Sequence, residues 1–156
     1  MLNVHLLAVG EKMPGWVAAG FQEYQKRIRG RFKLHLVEVS AIRRGKHADT
    51  ERIALEEEKK IMGSIPKGAY VIALDRKGNH LSTLQLSSKM ESWLELGRSV
   101  VVVIGGPEGL TEHFLHKADE TWSLSEMTFA HPVVRVMLAE QLYRGYSILE
   151  GLPYHR

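Results

Sequence analysis

The order of hydrophobic and polar positions along this chain switches repeatedly between a strand-like and a helix-like period. Alternating or continuous apolar runs predict strands at 3–9, 33–39, 69–74, 100–104 and 121–125. Apolar residues at helical spacing predict helices at 14–28, 49–65, 83–97, 112–118 and 131–149. Because the two element types alternate, the sequence predicts an α/β fold, a mainly parallel sheet with helices on both faces, formed by one domain of residues 1–156.

Residues that favour helix ends support these bounds. Asp49 or Thr50 is expected to cap the second helix, and Gly97 is expected to end the third. Pro132 is expected in the first turn of the last helix, where a missing N–H costs nothing.

The fourth predicted strand lies in the stretch SVVVVIGGPEGL, which has no polar alternation and ends in a glycine-rich turn. Valine and isoleucine throughout indicate a strand covered on both faces, as in the middle of a parallel sheet. The glycines leave the backbone accessible to a ligand held by main-chain groups. A tight strand-to-helix connection is the alternative explanation. The glycines are Gly105, Gly106 and Gly109.

Ligands of parallel sheets bind beyond the carboxyl ends of the strands. Three strand ends are unusual in this chain: those after Leu74, after Ile104 and after the last strand. Their loops are expected to meet and form one crevice.

The last predicted helix is apolar around nearly its whole circumference. A helix of that kind must be covered on all sides, and in a chain of 156 residues a second copy of the chain is the expected cover. The sequence therefore predicts a homodimer, with a central helix in a monomeric core as the alternative. The apolar positions are Val133, Val134, Val136, Met137, Leu138, Leu142, Tyr143, Tyr146, Ile148 and Leu149.

Composition narrows the class of protein. With 44% hydrophobic and 25% charged residues, no apolar run near about 20 residues and no basic leader, a cytoplasmic protein without a membrane partner is expected. Cysteine is absent, which excludes disulfides, thiolate metal sites and cysteine nucleophiles. The net charge of +3 is clustered in segments 26–33 and 43–47, which suits a polyanion such as nucleic acid or forms a solvated face.

Several catalytic motifs are absent or incomplete. Gly10–Gly15 has the glycine spacing of a phosphate loop, but Trp16 and Val17 stand where Lys and Ser or Thr are required. His113 and His116 lie one helical turn apart without a third ligand, so no metal site is expected. No G-x-G-x-x-G follows the first strand, and no G-x-S-x-G occurs.

Three stretches together resemble the small single-domain SPOUT methyltransferases: IGGPEGL, then SLSEMTFAHPVVRVMLAEQLYRGYSI, then PYHR. Within that superfamily they are most similar to the bacterial family that methylates N3 of a pseudouridine in large-subunit ribosomal RNA. The stretches AVGEKMPGWV and RRGKHAD fit that family too. The resemblance implies a C-terminal trefoil knot, a homodimer, S-adenosylmethionine as methyl donor, no metal, and large-subunit ribosomal RNA or the assembled ribosome as partner.

Matching to the family implies which residues form the donor pocket. Apolar side chains there can enclose the adenine and thioether regions, and backbone groups can read the adenine edge. The implied donor-binding residues are Leu74, Gly105, Gly106, Glu108, Gly109, Leu124, Ser125, Glu126, Met127, Thr128 and Phe129.

Methylation at N3 also needs an acceptor site, because N3 of the uracil ring must lose a proton. His155 is the first candidate to contact or deprotonate the base and His131 the second, whereas Tyr154 offers a ring for stacking. Arg135 and Arg144 are polar exceptions on the apolar last helix, which makes them site candidates, and Arg156 could hold a phosphate. The candidate catalytic residues are His155, Tyr154, Arg135 and His131. The candidate RNA-binding residues are Arg144, Arg156, Arg43, Arg44 and Lys46.

Two alternatives remain open. Another SPOUT methyltransferase, acting on a ribose 2′-oxygen or a guanine of transfer RNA, would carry the same glycine loop. A non-catalytic RNA-binding or ribosome-binding module would keep the fold but lack saturable affinity for S-adenosylmethionine.

Overall fold

Five parallel strands form the sheet in a computed structural model that describes all 156 residues. Their order across the sheet is β2-β1-β4-β3-β5, and every neighbouring pair is parallel. The predicted α/β class and mainly parallel sheet are confirmed. The strands are β1 Leu2–Val9, β2 Phe32–Val39, β3 Tyr70–His80, β4 Val100–Ile104 and β5 Glu120–Ser123.

Helices cover both faces of the sheet, as predicted. One face carries a larger core that includes Phe21, Trp93 and Leu142, and the other carries a smaller core around Ile61 and Phe114. None of these helices combines the length and hydropathy needed to cross a bilayer. On the first face lie α1 Gly15–Gln25, α3 Thr83–Trp93 and α5 His131–Leu149; on the second lie α2 Thr50–Ser64 and α4 Glu112–Lys117.

Strand β4 is buried on both faces. Val100 and Val102 belong to the larger core, whereas Val101 and Val103 belong to the smaller one. The absence of polar alternation in this stretch therefore reflects cover from both sides, as predicted.

Helices α1 and α3 end three and four residues earlier than predicted, α2 and α4 end one residue earlier, and α5 has the predicted bounds. Strand β5 covers 120–123 instead of the predicted 121–125. Asp49 caps α2, its side chain accepting the N–H of Arg52 at 3.2 Å. Helix α3 ends at Trp93, because the next three N–H groups donate to carbonyls three residues back and tighten the chain into a 3₁₀-type turn. Gly97, with φ +66, lies beyond that turn. Helix α1 ends at Gln25, and the N–H groups of Arg27 and Ile28 likewise donate to carbonyls three residues back.

Strand β3 is longer than predicted. The segment after Leu74 was expected to be a loop, yet β3 continues to His80 and pairs again with β5 after an irregularity between Leu74 and Asn79. Gly78 permits this approach, because a β-carbon there would lie 2.5 Å from the backbone of Trp122. Pairing with β5 thus overrides the polar, turn-like composition of residues 75–80.

Candidate functional site

A cavity of about 660 Å³ opens beside the middle of β3, at the carboxyl ends of β4 and β5 and at the start of α5. This volume lies within the usual range for small-molecule sites. The predicted crevice is present, lined by the loops that follow Ile104 and β5. Its third wall is not the predicted loop after Leu74 but residues 74–76 of β3. Ten of the eleven residues implied for donor binding line the cavity, and Glu126 does not.

The sequence did not predict two charged residues of the lining. Asp75 and Arg76 follow Leu74 directly, and Arg76 Nη1 donates to Thr128 Oγ1 at 3.3 Å, which links β3 to the segment after β5. Their position could have been inferred from the sequence, because a charged pair directly follows the apolar run 69–74.

The glycine loop after β4 folds back on itself. The N–H of Gly109 donates to the carbonyl oxygen of Gly106 at 2.8 Å, and Gly109 has φ +73. A β-carbon on Gly105 would lie 2.8 Å from the carbonyl carbon of Gly109. Gly105 was expected to leave space for a ligand. The space beside its α-carbon is instead filled by the loop's own backbone, so this glycine is needed to close the loop.

The segment between β5 and α5 forms the opposite wall of the cavity. Ser125 shapes it, because its Oγ accepts the N–H of Met127 at 3.0 Å and its carbonyl accepts the hydroxyl of Ser123 at 3.0 Å. Met127 is 71% exposed, whereas Phe129 packs partly against the larger core. Phe129 therefore both lines the cavity and anchors the wall.

His131 lines the cavity at the first residue of α5. Its Nδ1 atom is buried without a hydrogen-bond partner. Burial lowers the pKa of His131, and the positive charges of Arg135 and Arg44 lower it further. The neutral imidazole, which can accept a proton or a hydrogen bond, is therefore the favoured form.

Arg135 lies one turn further along α5 and is 1% exposed. Its Nη1 donates to Glu38 Oε2 at 2.5 Å, and its Nη2 donates to the carbonyl oxygen of Gly10 at 2.7 Å. It does not line the cavity. In this structure Arg135 holds the ends of β1 and β2 against α5, which sets the position of His131.

The basic residues of segment 41–47 have two different environments. Arg43 and Lys46 are exposed and make no ion pair. Arg44 instead contacts Glu57 on α2 and Glu108 in the glycine loop. The Arg44 guanidinium holds the pKa of Glu108 below its usual value.

The C-terminal tail lies against the far end of α5. The Tyr154 ring packs edge-on against Tyr143 with centroids 4.6 Å apart, and Arg144 Nη1 donates to His155 Nδ1 at 3.2 Å. Arg156 is exposed. The Tyr154 hydroxyl also donates to Glu140 Oε1 at 3.4 Å. The tail therefore contacts α5 between Glu140 and Arg144, about 9–15 Å along the helix from Val134, the last residue of α5 that lines the cavity. Within one chain, the tail does not line the cavity.

The basic segment 26–33 lies beside the tail. Arg31 Nη2 forms an ion pair with Glu150 at 2.7 Å, and the Arg27 guanidinium lies 5.6 Å from the Tyr143 ring centroid. The two basic clusters thus stand at opposite ends of the sheet, segment 41–47 at the cavity and segment 26–33 at the tail.

Comparisons with known proteins agree with this architecture. Residues 2–155 match the family model described as "Predicted SPOUT methyltransferase". Among curated relatives, the "Ribosomal RNA large subunit methyltransferase H" proteins of Thioalkalivibrio sulfidiphilus and Hydrogenovibrio crunogenus are 49% and 46% identical over 155 residues, 99% of each chain.

Solved structures show the same fold at low identity. A probable methylase family protein from Haemophilus influenzae has a TM-score of 0.59 at 11% identity, covering 99% of this chain and 71% of its own. A probable methyltransferase from Bordetella pertussis has a TM-score of 0.59 at 12% identity, covering 93% and 95%. Together with the match along residues 2–155, these findings show that the chain belongs to the SPOUT methyltransferase family.

Proposed function

We propose that this protein transfers a methyl group from S-adenosylmethionine to large-subunit ribosomal RNA, at N3 of a pseudouridine. Its relatives at 46–49% identity carry the name of a large-subunit ribosomal RNA methyltransferase. The observation that carries the proposal is the cavity, which gathers ten of the eleven residues implied for donor binding. The pseudouridine N3 acceptor rests on the sequence resemblance.

The lining of the cavity fits S-adenosylmethionine. Leu74, Leu124 and Phe129 supply apolar walls for a flat aromatic base, and the loop at 105–109 supplies backbone donors and acceptors. Glu108 also lines the cavity, but its carboxylate is paired with Arg44, so its part is to order the glycine loop. The donor, when bound, supplies an electrophilic methyl group.

The protein's part in the reaction is alignment and proton removal. A C–N bond forms to the acceptor, the methyl–sulfur bond breaks, and the N3 proton must leave. Holding nitrogen, methyl carbon and sulfur in line contributes much of the rate. His155 is our first candidate to take the proton, and His131 is the second because its neutral form is favoured beside the cavity.

The position of the tail bears on how the acceptor site is assembled. Because the tail contacts α5 about 9–15 Å along the helix from the last residue that lines the cavity, we infer that it completes the cavity of a second copy in a homodimer. An exposed apolar surface supports such a dimer. Trp16 is 58% exposed and Val133 is 37% exposed. They lie at the same end of α1 and α5, because these helices run side by side, Gly20 against Val136.

We extend the proposal to a C-terminal trefoil knot formed by the 156-residue domain. After β5 at the edge of the sheet, the chain returns to the middle, where α5 packs against α1 and α3. A C-terminal segment must return to the middle of the fold in this way before it can pass through a loop of the chain. An experimental trace of residues 105–149 in electron density tests it, and an unthreaded path would contradict the proposal.

Removal of Tyr154, His155 and Arg156 tests the proposed function. We expect the truncated protein to bind S-adenosylmethionine with unchanged affinity by calorimetry, because the cavity is built by other segments. Single-turnover methylation of ribosomes and large subunits should be abolished. Methylation at the wild-type rate would show that the acceptor site lies elsewhere. A wild-type protein without saturable donor binding would instead indicate an RNA-binding module.

A further inference from the structure

One guanidinium, that of Arg44, ties together three segments beside the cavity. Its Nη2 donates to the two carboxylate oxygens of Glu57 at 3.1 and 3.2 Å, and its Nε donates to Glu108 Oε2 at 2.6 Å. Its Nη1 donates to the carbonyl oxygen of Ile42 at 3.0 Å. All three nitrogens of the guanidinium are therefore engaged by α2, the glycine loop and segment 41–47.

Glu57 is the buried anchor of this cluster, with a side chain that is 3% exposed. It also accepts the N–H of Ile42 at 3.1 Å. The glycine loop packs directly on it, since a β-carbon on Gly106 would lie 3.0 Å from Glu57 Oε1. Without Arg44, Glu57 would be a buried negative charge with no positive partner, which is strongly unfavourable.

The neighbouring Glu58 holds the other side of the same loop. Its carboxylate accepts the hydroxyl of Thr111, which caps α4, and lies 3.1 Å from His113 Nδ1. Two successive carboxylates of α2 thus fix the glycine loop, one beside Gly106 and one just after Leu110. Since α2 is packed on the sheet, it is a rigid base for the loop.

We propose that Arg44 is a positioning residue that couples the donor cavity to the RNA-binding segment 41–47. The inference rests on the proposed function. A donor in the cavity fixes Glu108, and Glu108 holds segment 41–47 through Arg44. That segment presents Arg43 and Lys46, which make no ion pair and remain available to phosphate. Linkage requires the reverse effect as well, so bound RNA strengthens donor binding by the same factor.

Arg44 thus has a different role from Arg43 and Lys46. A phosphate could take the Arg44 guanidinium only by displacing two carboxylates, one of them buried. Arg43 and Lys46 therefore bind RNA directly, whereas Arg44 sets their position according to the state of the cavity.

The test uses Arg44→Gln, with Arg43→Gln as the matched control. The affinity of large-subunit ribosomal RNA is measured with and without S-adenosylhomocysteine, which occupies the cavity without turnover. Amide hydrogen exchange of residues 41–47 is followed in the same samples. Because Arg44→Gln leaves Glu57 unpaired, the double variant Arg44→Gln/Glu57→Gln is included to preserve the fold, which is checked by thermal melting.

In the wild type, S-adenosylhomocysteine should tighten RNA binding about fivefold or more and slow exchange at 41–47. Both the single and the double variant at Arg44 should lose these effects while keeping the wild-type salt dependence of RNA binding. Arg43→Gln should keep both effects but weaken RNA binding, with a salt slope smaller by about one.

The outcomes separate this inference from the proposed function. If the wild type binds no S-adenosylhomocysteine, the proposed function and the inference fail together. If it binds but RNA affinity does not respond, only the inference is wrong. If the folded Arg44 variants keep the response and lose one unit of salt slope, Arg44 is a direct phosphate contact.

Discussion

Two inactive variants are expected to restore activity when they form a dimer together. The first lacks Tyr154, His155 and Arg156 and keeps its cavity. The second carries Gly105→Ala, which disrupts the cavity and keeps the tail, because the new β-carbon would lie 2.8 Å from the backbone of Gly109. If the tail serves the partner, a mixed dimer contains one site with an intact cavity and an intact tail.

The expected magnitude follows from the two-fold symmetry of a dimer. Random association of equal amounts yields mixed dimers as half of the population, and each has one complete site of two. The mixture should therefore reach about a quarter of wild-type activity per chain. If the tail served its own cavity, every chain in the mixture would carry one defect, and no activity would return.

The assay is single-turnover methylation of ribosomes after the two variants are unfolded and refolded together. Wild-type protein taken through the same treatment is the control for recovery, and sedimentation confirms that dimers have formed again. An inactive mixture of well-formed dimers would refute assembly of the site from two chains. Activity is expected because α5 is about 28 Å long for its 19 residues, so it carries the tail away from the cavity of its own chain.

Three further predictions concern binding, assembly and pH. Gly105→Ala alone should weaken S-adenosylmethionine binding about 100-fold or more by calorimetry, because the loop that lines the cavity must shift. Met137→Glu should produce monomers or unfolded protein in sedimentation, because it puts a charge without a partner on the helix proposed to form the dimer. His5 and His35 stack with centroids 4.7 Å apart, and burial lowers the pKa of both below 6.5. The unfolded chain therefore binds protons more readily, so the melting temperature should fall as pH drops from 7 to 5, and less steeply in His5→Gln.

Each of these predictions has a matched control. Gly63→Ala adds a β-carbon where no atom lies within 4 Å, and should leave donor binding unchanged. Met62 is 41% exposed on α2, and Met62→Glu should remain a dimer. His116 is exposed, and His116→Gln should keep the wild-type pH dependence. Unchanged donor binding in Gly105→Ala, a dimeric Met137→Glu or an equally steep pH dependence in His5→Gln would contradict the respective argument.

Elements with strong local signals were predictable from the sequence. Strand β4 is marked by its uninterrupted valines, and α5 begins at the residue before Pro132 and ends at Leu149 as predicted. The crevice was predictable because the ends of parallel strands share one edge of the sheet. Ten lining residues followed from the family resemblance, and the geometry brings them together.

Features that depend on distant partners were not predictable. The extension of β3 comes from pairing with β5, about 45 residues later. Arg135 is a polar exception on an apolar helix, which suggests a reactive site. Its hydrogen-bond partners are instead Glu38, 97 residues away in the sequence, and Gly10, 125 residues away, so its buried position could not be predicted. A signal for Glu57 did exist. It lies midway between Ile53 and Ile61 at helical spacing, so a carboxylate falls on the buried face of α2.

The order of strands in the sheet has a consequence for how the protein is made. Strand β1 is synthesised first, yet one of its two neighbours is β4, with Val4 opposite Val100. At the usual rates of translation, roughly 5–20 s pass between the synthesis of these two residues. During that time the edge of β1 that pairs with β4 has no partner, and its apolar side chains lack the cover that α5 later supplies. The nascent chain is therefore most exposed to aggregation before β4 emerges, and a chaperone that shields β1 would act in that interval.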